Sequence, residues 1–108
     1  MTRDLASVMS EAKSSRNVVV ASPNGLHMRP ASLIAKLANQ FQCKIELVRG
    51  QQRVDGKSML EIVTLVAEHG TNLTIEASGP DAEAAVEALA VLFASQFADV
   101  EEETSKDP

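Results

Sequence analysis

Between Arg16 and Phe97 the chain alternates between stretches of period two and stretches of period close to four. The run NVVVAS, Asn17 to Ser22, is short and β-branched and predicts a strand. Ala31, Ile34, Leu37, Ala38 and Phe41 then recur on one helical face. CKIELV puts Cys43, Ile45 and Leu47 on one side of a second strand, and Arg49-Gly50 supplies a turn into a third, QQRVD. SMLEIVTLV returns to helical spacing, and NLTIEA alternates Leu73, Ile75 and Ala77 inward against Asn72, Thr74 and Glu76 outward. Pro80 suits the first position of a last helix, with Asp81 and Glu83 in its first turn where carboxylates complement the dipole. Ala85, Leu89, Leu92, Phe93 and Phe97 form that helix's buried face. The order βαββαβα predicts an α+β fold, a four-stranded sheet covered on one face by helices.

The flanks read differently. In residues 1–15, Leu5, Val8, Met9 and Ala12 fall at i, i+3, i+4 and i+7, which suits either a short amphipathic helix or a frayed extension. Residues 98–108 turn acidic and breaker-rich, as a solvated tail does. The intervening residues 16–97 make one domain within a chain of 108 residues. With three Phe and no Trp or Tyr, its core must come from Val, Leu, Ile and Ala.

Charge and cysteine content exclude several classes of function. Ten basic against 15 acidic residues leave a net charge of -5, which argues against a nucleic-acid surface. One cysteine, Cys43, cannot form an intrachain disulfide, and no segment is long and apolar enough to insert in a membrane. No signal peptide is visible, so a cytoplasmic monomer is expected. The sequon Asn72-Leu73-Thr74 then reads as strand. Two scattered His, His27 and His69, give no metal-ligand spacing, and no cofactor is implied.

The chemistry concentrates in NGLHMRPA, Asn24 to Ala31. A helix starting near Met28 or Arg29 leaves its first N–H groups without intrahelical partners at the positive end of its dipole, which makes an anion site. Pro30 sacrifices no helical hydrogen bond there. Asn24-Gly25 makes the tight approach turn. His27 can supply a neutral imidazole nitrogen as nucleophile, and Arg29 a planar fork of donors for phosphoryl oxygens. Without a base or metal beside them, these groups suit the acceptance and surrender of phosphate rather than hydrolysis.

This stretch resembles the active-site signature of the HPr phosphocarrier family of the phosphoenolpyruvate:sugar phosphotransferase system, in which the histidine lies in a Gly-Leu-His-x-Arg-Pro-Ala context. The resemblance runs from Arg16 to Phe97 and implies an open-faced β-sandwich with a four-stranded antiparallel sheet and three helices. It implies that His27 is phosphorylated on Nδ1 and that Arg29 steadies the phosphoryl group. The donor it implies is phosphorylated enzyme I, and the acceptors are IIA components of sugar permeases. It also marks Ser58, in a Lys-Ser context, as a regulatory target of an HPr kinase/phosphorylase, and Met59, Leu60, Glu61 and Val63 as part of a docking surface.

The residues themselves read Ser58-Met59-Leu60-Glu61 as a capping box, Ser58 satisfying a first-turn N–H and Glu61 reaching back to the cap. Capping and phosphorylation are compatible. Met59, Leu60 and Val63 suit either core or an exposed patch beside His27. Three positions depart from the family pattern: Glu61 replaces a frequent Gly or Lys, Val66 a frequent small residue, and Met28 a frequent Ala or Thr. Two functional classes follow, a phosphocarrier and a regulatory HPr-like module that works by phosphorylation-dependent docking. The nucleophile at position 27 favours the carrier.

Overall fold

The computed structural model describes residues 12–95. The helical pattern at Leu5, Val8 and Met9, the burial of Phe97 and the acidic stretch 98–108 lie outside them. In chain order the elements are β1 (Lys13–Val19), α1 (Met28–Ala38), β2 (Lys44–Arg49), β3 (Gln52–Asp55), α2 (Met59–Val63), β4 (Asn72–Ser78) and α3 (Ala82–Ala94). The strands form one antiparallel sheet in the order β1-β4-β2-β3. This is the α+β open-faced sandwich that the order βαββαβα predicts.

Register sorts the side chains of the sheet. Lys44 and Lys13 both pair with Ser78, and Leu47 lies opposite Ile75. Ile45, Leu47, Val54, Leu73, Ile75 and Ala77 are therefore on one face and buried. Onto it α1 lays Ala31, Ile34, Ala35 and Ala38, and α3 lays Ala85, Val86, Leu89 and Phe93. The opposite face is polar, and there Arg53 Nη1 meets Glu46 Oε1 at 2.8 Å and Glu76 Oε1 at 2.7 Å. Such exposed pairs add little stability. One-sided burial is what strands that alternate apolar and polar residues require.

Four boundaries differ from the sequence reading. β1 begins at Lys13 rather than after Arg16, because pairing with β4 runs unbroken from Lys13 opposite Ser78 to Val19 opposite Asn72. Backbone hydrogen bonds thus carry the strand back through polar residues of low strand propensity. Phe41 lies beyond the end of α1 and packs half-buried against the core. The α-helical part of α2 stops at Val63, since Thr64, Leu65 and Val66 N–H groups donate to carbonyls three residues back. Pro80 precedes the last helix instead of opening it, and Asp81 is its N-cap residue.

Asp81 is occupied elsewhere. Its carboxylate oxygens accept the N–H groups of Gln42 and Cys43, each at 2.9 Å, which ties the entrance of β2 to the start of α3. The two segments touch so closely that a Cβ on Gly79, whose φ is +134°, would stand 2.9 Å from Cys43 Cβ. The Gln42 N–H is the largest cause holding the Asp81 carboxyl below its ordinary 3.8, against desolvation that raises it. Cys43 is buried, and burial with the neighbouring Asp81 pushes its thiol up to about 11, so it remains a neutral core group.

The capping box at α2 is only half as expected. Ser58 Oγ accepts the Glu61 N–H at 3.2 Å, as a cap should. Glu61 Oε1, however, accepts the N–H of Asp55 at 2.9 Å and not that of Ser58, whose N–H donates to Asp55 O. Glu61 therefore fastens α2 to the end of β3. Asn39 Nδ2 donates to Lys57 O at 3.0 Å and Lys57 Nζ to Phe41 O at 2.7 Å, which fastens the same segment to the end of α1.

Two stability predictions follow from these ties. Ser58→Ala should cost about 0.5–2 kcal/mol in urea unfolding, and Ser58→Asp less, since Asp also caps; a larger loss for Asp would show that Oγ is not the cap. A carboxyl with a lowered folded-state pKa contributes stability above its ordinary pKa and loses it as pH falls through the folded value. Asp81→Ala should accordingly be less stable than the unaltered protein at neutral pH, and the gap should shrink once the pH is taken below the carboxylate range. An equal gap at both extremes would mean that the Asp81 charge has no part in the tie.

Candidate functional site

After β1 the chain must travel from the sheet edge to the start of α1, and it does so through a tight turn. Ser22 is buried, its Oγ donates to Gly25 O at 2.8 Å, and its carbonyl accepts the Gly25 N–H at 3.0 Å. Gly25 has a φ of +73°, and a Cβ there would come within 2.5 Å of Ala67 O. Leu26 N–H donates to that same carbonyl at 2.8 Å while the Leu26 side chain enters the core. A side chain on residue 25 would break both arrangements at once.

His27 is delivered by this turn to the N-cap of α1, with extended backbone (φ -83°, ψ -164°). Its carbonyl accepts the Ala31 N–H, the first bond of the helix, at 3.0 Å. Its side chain makes no capping hydrogen bond and the residue is exposed. In an 11-residue helix starting at Met28, the N–H groups of Met28 and Arg29 come before the first helical donor, the Ala31 N–H, and Pro30 has no N–H to offer. The imidazole thus stands where backbone donors and the positive end of the helix dipole favour an anion. Arg29 is exposed on the first turn, and Pro30 is buried beneath it.

His27 also lines a shallow hollow of about 310 Å³ with Asn24, Leu26, Met28, Val63, Val66, Ala67 and Glu68. The walls come from two segments that the Leu26–Ala67 backbone bond holds together. Met28 is 56 % exposed and Val66 66 %, so the rim is apolar. Among the described residues no cluster of three His, Cys, Asp or Glu could hold a metal ion.

The residues proposed on α2 divide by burial. Met59 and Val63 are half-buried against the core, whereas Leu60 is 67 % exposed and Glu61 is exposed. Val63 alone of these reaches the hollow that contains His27, and Ser58 stays half-buried at the far, N-terminal end of the helix. His69 sits exposed in the turn before β4.

Sequence reasoning overlooked the part played by Arg49 and Gln52. Arg49 Nη1 donates to Leu65 O at 2.6 Å and to Val66 O at 3.1 Å, and Gln52 Nε2 to Thr64 O at 3.2 Å. Three consecutive carbonyls at the end of α2 are thus gripped by the β2–β3 hairpin. Only a map of long-range contacts could have revealed this, because nothing in the local pattern links position 49 to 65.

The family model for the PTS HPr component phosphorylation site matches residues 14–95. The phosphocarrier protein HPr of Treponema pallidum is 39 % identical over 82 residues, covering 76 % of this chain and 93 % of that protein. The phosphoryl donor subunit DhaM of the PEP-dependent dihydroxyacetone kinase of Providencia stuartii is 36 % identical over 97 residues, or 90 % of this chain. This chain spans 20 % of that longer protein. The crystal structure of an HPr from Thermoanaerobacter tengcongensis superposes with a TM-score of 0.76 at 30 % identity, covering 79 % of this chain and 96 % of that one. With fold, chain length of the match and identity in agreement, the chain belongs to the HPr family of phosphocarriers of the phosphotransferase system.

Proposed function

We propose that His27 Nδ1 accepts a phosphoryl group from phosphorylated enzyme I and surrenders it to a IIA component of a sugar permease. The observation that carries this reading is the exposed His27 side chain at the N-cap of α1, left out of the capping it could have performed. The imidazole lone pair attacks phosphorus as the bond to the donor breaks, and the donor keeps the released electron pair. One bond to phosphorus replaces another, so no water, base or metal is required. The phosphoryl oxygens then lie against the first-turn N–H groups, with the Arg29 guanidinium as a second source of positive charge.

Docking falls to the surface around the histidine. Met28 and Leu60 are the exposed apolar side chains of the two adjoining helices, Met59 and Val63 lie half-buried behind them, and Glu61 adds a charge at the edge. Ser58 is the candidate regulatory site for an HPr kinase/phosphorylase, and a phosphate at that cap would still meet helix N–H groups. No helix of the described residues is long and apolar enough to cross a membrane, and the protein is read as a monomer of the cytoplasm.

A second reading keeps the first transfer and changes the acceptor. The match to a phosphoryl donor subunit of a dihydroxyacetone kinase covers 90 % of this chain, more than the match to the Treponema HPr. Supplying the phosphorylated protein with IIA and with kinase subunits in separate reactions distinguishes the two acceptors.

Intact-mass measurement after incubation with phosphoenolpyruvate and enzyme I should show one added phosphoryl group, absent from His27→Ala although that variant keeps its melting temperature. Labelling of His27→Ala would overturn the assignment. Arg29→Ala should slow transfer by about tenfold or more without abolishing it; an unchanged rate removes Arg29 from the site. Leu60→Asp should raise KM for phosphorylation by enzyme I with melting hardly altered, because an exposed anchor becomes a charge that must be desolvated. Glu61→Lys should speed association at low salt and lose that gain as salt rises. It should also lower the melting temperature through loss of the bond to the Asp55 N–H. No rate change at any ionic strength would confine Glu61 to its structural bond.

A further inference from the structure

Ser22 is the one buried polar residue among those described, at 3 % exposure, and no step of the transfer proposed above uses it. Its Oγ donates to Gly25 O at 2.8 Å. That carbonyl belongs to the same peptide group as the Leu26 N–H, which donates to Ala67 O at 2.8 Å. A trans peptide group is planar and its two polar ends point in opposite directions. One rigid plane is therefore clamped at both ends, by a hydroxyl on one side and by a backbone carbonyl beyond α2 on the other. It is the last peptide group but one before the His27 Cα.

The clamp acts where the chain can least hold itself. Gly25 has a φ of +73° and no Cβ, so its own sterics restrain the neighbouring peptide plane weakly. The His27 side chain makes no capping hydrogen bond, so the path of the backbone decides where the imidazole stands. The N–H groups of Met28 and Arg29 are fixed differently, by a helix whose first turn is anchored through buried Pro30 and Ala31. The imidazole and the backbone donors are thus held by separate parts of the chain, and the plane between Gly25 and Leu26 sets one against the other.

Resting on the phosphocarrier reading above, we infer that Ser22 is a positioning residue for phosphoryl transfer, its buried hydroxyl locking the Gly25–Leu26 peptide plane and so holding the His27 imidazole against the first-turn N–H groups that receive the phosphoryl oxygens. Without the hydroxyl, Gly25 O loses its donor in a buried site, and the plane is driven to turn toward another partner. The imidazole then spends less time in line with the donor's phosphorus, and a displacement of about 1 Å costs up to about a hundredfold in rate. Ser22 is buried and touches neither the phosphoryl group nor an incoming protein, so its effect falls on the transfer step and spares affinity.

The test compares unaltered protein, Ser22→Ala, Ser22→Thr and Ser22→Val at a temperature where circular dichroism shows each to be folded. Single-turnover transfer from phosphorylated enzyme I gives a maximal rate and a half-saturating concentration for each. Ser22→Ala should lower the maximal rate about tenfold and leave the half-saturating concentration unchanged. Thr and Val differ in the hydroxyl and hardly in volume, so Ser22→Thr should transfer about fivefold faster than Ser22→Val whatever strain the added bulk brings. An unchanged maximal rate for Ser22→Ala, with or without a lower melting temperature, would reduce the serine to a structural bond and overturn the inference. Equal rates for the Thr and Val variants would overturn it as well, as would a changed half-saturating concentration at an unaltered maximal rate. Absence of labelling in the unaltered protein would instead refute the phosphocarrier reading, and this inference with it.

Discussion

The close approach of two backbones, at Gly25 and Ala67, is the constraint on which the site depends. Ala67 O accepts the Leu26 N–H at 2.8 Å and leaves no room for a Cβ on residue 25. Through that contact the turn that presents His27 and the turn that ends α2 become one surface. A helix N-terminus by itself offers donors to any anion. Here the same donors are framed by an apolar rim from a second segment.

The rest of the fold supplies rigidity to that contact. One sheet face buries its side chains under α1 and α3, and the register of β4 against β1 and β2 admits no slip without turning Leu73, Ile75 and Ala77 to water. Polar ties then fix what the core does not reach. Asp81 joins the entrance of β2 to α3, Glu61 joins α2 to β3, and Asn39 and Lys57 join the end of α1 to the start of α2. Each uses a side chain to satisfy a backbone group in another segment, where a lost partner would leave an unpaired donor or acceptor.

α2 shows how much of a short helix's stability comes from outside it. It has five helical residues, too few to be stable alone, and is held by a serine cap at one end and by Arg49 and Gln52 at the other. Between these anchors only Ile62 is fully buried. Leu60 and Val66 stay exposed, the latter in a backbone conformation that costs about 1–3 kcal/mol.

The element order, the inward faces of β2 and β4, the buried stripe of α1 and the placement of His27 at a helix mouth were all legible in the sequence. Each is set by local periodicity or by residue types whose backbone preferences are strong, such as Gly25 and Pro30. The limits of β1 and α2, the displacement of Pro80 and Asp81 from the helix they precede, and the partner of Glu61 were decided by tertiary structure. Pairing with β4 extends β1 through Lys13, Ser14 and Ser15, and backbone N–H groups at Gln42, Cys43 and Asp55 claim carboxylates that local rules assign to helix caps. The strain at Val66 belongs to the same class. A valine after a helical run reads as more helix, and only the grip of Arg49, Gln52 and Leu26 on the surrounding carbonyls forces it into the left-handed region instead.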